Sequence, residues 1–295
     1  MIPFIGISAQ ALSGQLLLGL INGSFYAMLS LGLAVIFGLL NIVNFTHGAQ
    51  YMLGAFGAWL LFTKLGIGYW WSLLVAPVMV GALGIVMERV LLRALHHLDH
   101  LYGMLVTFGL ALIIQGLVQN GYGAGGQPYR IPEALEGGFR LSFMFLPYYR
   151  AWVIGVSVLV CFATWFVIER TRLGAYLRAA TENPRLVQAF GIDVPVLVTL
   201  VYGLGVGLAG LAGVLAAPIY QINSQMGGDL IIVVFAVVVI GGMGSILGSI
   251  AAGFVLGIAE ALTNIVLPEF SGTVIFMIMA LVLMVRPRGI FGKST

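Results

Sequence analysis

The stretch Val196-Leu-Val-Thr-Leu-Val-Tyr-Gly-Leu-Gly-Val-Gly-Leu-Ala-Gly-Leu-Ala-Gly-Val-Leu-Ala-Ala217 decides the fold, because its 22 residues include no charged side chain. At a rise of about 1.5 Å per residue, a helix of that length reaches about 33 Å, enough for the roughly 30 Å hydrocarbon core of a bilayer. Outward from it the pattern recurs. Apolar runs between charged or Gly/Pro-rich breaks fall at 13–42, 48–63, 71–88, 102–122, 151–168, 196–217, 230–247, 249–264 and 272–285. The first is too long for a simple crossing and carries Gly32 and Gly38, so it is either one long tilted helix or a helix followed by a broken half-helix. The expected fold is all-α: a polytopic transmembrane helical bundle of eight to ten spans, forming one domain over 1–295.

Composition agrees. Apolar residues make up 61% of the chain and charged residues 8%, too few charges to give a water-soluble domain its polar surface. Mean hydropathy is +1.09. The net charge of +3 does not point to nucleic acid, because the basic residues are spread over loops and form no dense patch. Cys161, the one cysteine, lies in an apolar run, which leaves no disulfide or Cys-based metal site within the chain. Residues 1–10 hold no Lys or Arg, so the first span, and no cleavable signal peptide, is expected to direct insertion.

Orientation follows from the segment Glu169 to Asp193, which carries seven charged residues. Placing them at the bilayer centre would cost on the order of 20 kcal/mol. With that loop inside, together with 88–100 and the C-terminal tail, nine basic residues are cytoplasmic: Arg89, Arg93, Arg170, Arg172, Arg178, Arg185, Arg286, Arg288 and Lys293. Lys64, Arg130, Arg140 and Arg150 remain outside, a bias that obeys the positive-inside rule. The loop 123–150, with Gly-Gly-Gln-Pro at 125–128, then reads as an irregular external excursion. Glycine pairs at helical spacing, Gly19 with Gly23, Gly203 with Gly207, Gly244 with Gly248 and Gly253 with Gly257, allow close helix packing in lipid.

Within the cytoplasmic segment, Arg172-Leu-Gly-Ala-Tyr-Leu-Arg-Ala-Ala-Thr-Glu-Asn-Pro-Arg-Leu-Val-Gln-Ala-Phe-Gly191 contains a short helix with both ends written in. Asn183 is a good N-cap, Pro184 suits the first helical position, and Gly191 suits the left-handed residue that stops a helix. Leu186, Val187 and Phe190 are expected on one face, with Arg185 and Gln188 elsewhere. The result is a small amphipathic knob, able to lie on a membrane surface or to dock into a partner.

This stretch resembles the cytoplasmic coupling loop of the branched-chain amino acid ABC transporter permeases, the LivH/LivM family. Further blocks carry the resemblance in family order: Gly23-Ser-Phe-Tyr-Ala-Met-Leu-Ser-Leu-Gly-Leu-Ala-Val-Ile-Phe-Gly38, Asn44-Phe-Thr-His-Gly48 with Met52-Leu-Gly-Ala55, Gly241-Gly-Met-Gly-Ser-Ile-Leu-Gly248, Leu256-Gly-Ile-Ala-Glu-Ala261 and Arg286-Pro-Arg-Gly-Ile-Phe-Gly292. They run from about residue 10 to the end. The resemblance implies an ABC importer permease fold in the cytoplasmic (inner) membrane, with a coupling loop over 169–195. It also implies a second related permease chain in a hetero- or homodimer, two cytoplasmic ATP-binding subunits and an extracytoplasmic solute-binding protein. On this reading Glu182, Asn183, Pro184, Arg185, Leu186, Val187, Phe190 and Gly191 couple the bundle to the ATPases. The chain itself binds no cofactor and is not an enzyme, ATP being used by the partner subunits.

Asn44-Phe-Thr-His-Gly48 stands where two apolar spans meet, with Asn41 before it and Gln50 after. Its polar groups either line a substrate path or cap a helix start, and capping is the simpler reading because Asn and Thr are favoured there. Asn44, His47, Gly242, Gly244 and Glu260 are the expected translocation-path residues. Glu260 is included as an ionisable residue inside an apolar span, where pairing or reach to the interface is the competing role. Glu88, Asp229 and Glu269 lie close to span boundaries and receive no special role, and His96, His97 and His100 beside Asp99 read as interfacial, not metal-binding. Gly289-Ile-Phe-Gly-Lys-Ser-Thr295 imitates the end of a P-loop, but the pattern needs Gly where Pro287 stands. A secondary transporter or channel, for a small solute such as urea or an amide, would need a relay of buried acids, and Glu260 is the only deep candidate. A membrane enzyme would need a clustered catalytic constellation that the sequence lacks. No residue distinguishes branched-chain amino acids from other amino acids, urea, amides or aromatic acids.

Overall fold

The computed structural model describes residues 8–40, 44–95, 100–141 and 144–292. Asn41, His96, His97, Asp99, Lys293 and the side chain of His100 lie outside the described residues. Each of the nine apolar runs becomes a helix: α1 Ala9–Leu40, α2 Thr46–Leu65, α3 Tyr69–Met87, α4 His100–Tyr122, α5 Tyr148–Arg170, α8 Val194–Ala216, α9 Met226–Gly241, α10 Ile246–Val266 and α11 Val274–Val285. Two shorter helices, α6 Arg172–Glu182 and α7 Pro184–Ala189, fill the charged segment between α5 and α8. Six of the described helices are long and apolar enough to cross a bilayer on their own. The chain is thus an all-α, multi-pass bundle.

The long first run is one continuous helix of 32 residues, about 48 Å at helical rise, and neither Gly32 nor Gly38 breaks it. The loop before α5 is irregular only in part. Gly138–Arg140 (β1) and Phe145–Pro147 (β2) pair antiparallel into a short hairpin, with Phe139 edge-on to Tyr148 at a centroid distance of 4.6 Å.

The helices group into two compact units. In one, formed within Leu31–Arg130 and Ala163–Ile232, glycine sets how closely α8 approaches its neighbours. A methyl group on Gly54 of α2 would stand 2.6 Å from Gly210 Cα, and one on Gly81 of α3 would stand 2.9 Å from the Gly203 carbonyl oxygen. Such backbone contact, with no apolar driving force between helices in lipid, is how a bundle gains dispersion energy there. At one end of this unit the backbones of Gln127 and Ile222 exchange two hydrogen bonds, 2.8 and 3.1 Å.

The other unit lies within Met1–Ser30, Ile131–Phe162 and Val233–Thr295. Here the early part of α1 crosses α10 through Gly19, Gly23, Gly253 and Gly257: a methyl on Gly253 would meet Ala27 Cα at 2.5 Å. Three of the four expected glycine pairs thus sit at close backbone contacts. Gly244 is the exception, because it lies in the turn before α10 with φ +82° and is not helical. That turn is closed by the C-terminal segment, whose Ile290 and Phe291 donate to the Ile240 and Gly241 carbonyls at 2.9 and 3.1 Å.

Candidate functional site

The segment after α5 reverses on itself. Gly174 of α6 packs so tightly on the Ile168 carbonyl that a side chain there would overlap it. Arg178 Nη1 donates to the same oxygen at 2.9 Å and lies 3.5 Å from the Glu169 carboxylate. A guanidinium on the last turn of α5 satisfies an otherwise open carbonyl and complements the helix dipole. From this base α7 projects. The Asn183 side chain accepts from Leu186 N at 3.0 Å, Pro184 opens the helix, and Gly191 takes φ +85° beyond its last turn.

The expected apolar face of α7 is split. Leu186 and Phe190, four residues apart, are 55% and 78% exposed. Val187 is turned inward and packs with Ala180 of α6 and Val194 of α8. A step of one residue rotates a helix by about 100°, so Val187 anchors α7 while Leu186 and Phe190 are displayed. Glu182, Asn183, Pro184, Arg185 and Gly191 are exposed around them.

The start of α2 forms a buried polar cluster. Asn44, Thr46, His47 and Gln50 each have at most 1% of their surface exposed. Thr46 Oγ1 donates to Asn44 Oδ1, and Asn44 Nδ2 donates to Gln50 Oε1 at 3.3 Å. Asn44 therefore does not cap α2 with its side chain; its carbonyl oxygen accepts from His47 N at 3.2 Å instead. The His47 ring fills the space where a side chain on Gly32 would stand, its Cε1 being 3.0 Å from that position. Across from α2, the Tyr202 hydroxyl of α8 stands beside Gln50, Thr46 and Asn44.

One turn below Tyr202, Thr199 donates to Glu88 Oε2 at 2.5 Å. Glu88 is 1% exposed. The chain continues past α3 in a π-helical turn, Glu88–Leu92, which carries the carboxylate under α8 and out of the solvent that its boundary position suggests. Glu88, Thr199 and Tyr202 escape a reading by hydropathy alone; the available signal is the pair of hydroxyl residues at i and i+3 inside an otherwise apolar run.

The remaining candidates have structural partners. Glu260 accepts from Tyr26 at 2.8 Å, joining α10 to α1. Gly242, φ +104°, leaves room for the C-terminal segment: a methyl there would meet Gly292 N at 2.6 Å. Gly244 shapes the same turn, and Ser245 caps α10 by accepting from Gly248 N at 3.2 Å. Gly242 and Gly244 thus sit together, as do Asn44 and His47.

Comparison with known proteins places this architecture. The model of the branched-chain amino acid transport system permease component family matches residues 15–283. The chain is 31% identical over 298 residues to the high-affinity branched-chain amino acid transport system permease protein LivH of Escherichia coli (strain K12), covering 95% of both chains. It is 30% identical to the corresponding BraD protein of Pseudomonas aeruginosa, again over 95% of both. Against LivM of Escherichia coli the identity is 28%, covering 90% of this chain and 67% of that one. No solved structure matches. With the family model spanning nearly the whole bundle, this chain belongs to the branched-chain amino acid transport system permease family.

Proposed function

We propose that this chain is the permease subunit of an ATP-driven importer that carries branched-chain amino acids or similar small solutes across the cytoplasmic membrane. It would pair with a second permease chain and engage two cytoplasmic ATPases and an extracytoplasmic solute-binding protein. The observation that carries the reading is α7: a capped helix set on a rigid base, presenting Phe190 and Leu186 to solvent beside charged residues. A large exposed aromatic in a loop rich in charge is what a partner groove would take up, since burying each apolar side chain yields about 1.5–3 kcal/mol.

The fixed ends of α7 limit the entropy lost on docking. The loop pairings support the assigned alternation of the spans. The loops holding Gln127 and Ile222 are both external by alternation, and the α9–α10 turn and C-terminal segment are both cytoplasmic. That Glu260 is held by Tyr26 favours a structural role for it over membership of an ion relay.

The test is Phe190→Ala in the complete complex, reconstituted with its ATPases and binding protein. Uptake and substrate-stimulated hydrolysis are expected to fall together, with the chain still inserted and monodisperse. Full coupling by that variant contradicts the role given to α7.

A further inference from the structure

We infer that Arg170 and Arg172, at the junction of α5 and α6, seat the phosphate of an anionic phospholipid on the side assigned to the cytoplasm, and that the bound headgroup steadies α6, the base of α7. The site depends on α5 crossing the membrane and not on what the bundle carries. Of the six helices able to span a bilayer on their own, α5 is the least buried, with 22% of its most apolar stretch covered. Its last turns display an exposed stripe of Ala163, Phe166, Val167 and Arg170, the i, i+3, i+4, i+7 spacing of a single helix face. Lipid chains lying over Phe166 and Val167 therefore bring a headgroup to Arg170.

Both guanidiniums are available for an anion. Arg170 Cζ lies 5.8 Å from the centre of the Trp165 ring, and this stacking holds it beside the stripe. Arg172 is exposed, and neither arginine has an ion-pair partner among the described residues. The acids of the segment are turned to other uses: Glu169 lies 3.5 Å from Arg178, and Asp193 accepts from Val196 N at the start of α8. Thr171, between the two arginines, is extended at φ −111° and ψ 167° and donates its hydroxyl to the Val167 carbonyl. The Cα atoms of Arg170 and Arg172 are thus about 6–7 Å apart, within reach of one phosphate, which a guanidinium grips by two parallel hydrogen bonds. Leu173 and Tyr176, exposed one turn apart on α6, sit at the same level, because Gly174 between them packs on the Ile168 carbonyl of α5. An apolar and aromatic flank beside arginines suits the edge of the hydrocarbon. A protein partner would have to bring its own carboxylates there, whereas an anionic leaflet presents phosphate already.

The test uses the full-length chain, alone and with its partner subunits, in nanodiscs of phosphatidylcholine with or without phosphatidylglycerol, and reads amide hydrogen exchange over 172–182. In the wild type, phosphatidylglycerol is expected to slow that exchange about tenfold, from two guanidiniums each worth a few-fold at an anionic surface. Arg170→Gln with Arg172→Gln is expected to abolish the difference between the two lipids, and Arg130→Gln with Arg140→Gln, on the opposite side, to leave it intact. Each protein is compared with itself in the two lipids, so a general loss of stability does not imitate the result. A wild-type lipid difference in the Arg170→Gln, Arg172→Gln protein overturns the site. Protection seen only for the chain alone means that a protein covers these arginines, and equal protection by inorganic phosphate in pure phosphatidylcholine means a free-anion site; either result overturns the lipid assignment.

Discussion

Substituting Gly54 by alanine tests whether α2 and α8 are in backbone contact. The added methyl would lie 2.6 Å from Gly210 Cα, where an ordinary contact begins at 3.4 Å. No rotamer change relieves it, because the obstacle is main chain and the Gly210 carbonyl oxygen is closer still, so the helices must part by at least about 0.8 Å. A gap of that size forfeits a quarter to a half of the dispersion energy of each contact across it. Overpacking of this kind costs about 1–3 kcal/mol, and the backbone origin places Gly54→Ala toward the upper end. In a chain of this size that corresponds to a drop in melting temperature of about 5 °C or more. Gly109→Ala on α4 is the control, since nothing lies within 4 Å of a methyl there, and alanine adds about 1 kcal/mol of helix propensity. The assay is thermal melting of the purified protein in detergent, followed by tryptophan fluorescence and by the monodisperse fraction surviving heat. Equal melting of the two variants would refute the packing described for α8.

Three further outcomes follow from the same geometry. In a Cys161→Ser background, a membrane-impermeant thiol reagent applied to intact cells is expected to label Glu136→Cys and not Glu182→Cys; the reverse pattern inverts the orientation. Gly242→Ala introduces a side chain at φ +104° against Gly292, so the C-terminal segment is expected to detach and trypsin to cut after Arg288 several-fold faster. An unchanged cleavage rate would mean that the segment is held by other contacts. Glu260→Gln keeps an acceptor for Tyr26 and is expected to transport near the wild-type rate, whereas an ion-relay role predicts its loss.

Much of the architecture is legible in the sequence because lipid imposes one rule on every span: long apolar runs closed by charge or Gly/Pro become helices. The α7 knob is legible for a local reason, since Asn183, Pro184 and Gly191 act on their own backbone. What escapes the sequence depends on distant neighbours. Val187 turns inward because Ala180 and Val194 cover it, which helical spacing within α7 does not reveal. Glu88 is buried because a π-helical turn carries it beneath α8, and the Asn44 side chain is bonded to the side chains of Thr46 and Gln50, not to the helix backbone. Gly244 fits a helical spacing yet belongs to a turn, where its φ of +82° is one that an α-helix does not contain.

The central claim is that this bundle moves solute by the work of partner ATPases. The direct measurement is uptake of labelled leucine into proteoliposomes holding this chain with its partner permease and ATPases, with binding protein outside and ATP sealed inside. The account predicts accumulation that requires ATP and binding protein and is abolished by a hydrolysis-deficient ATPase. Accumulation by this chain alone, driven by a proton or sodium gradient without ATP, would contradict it.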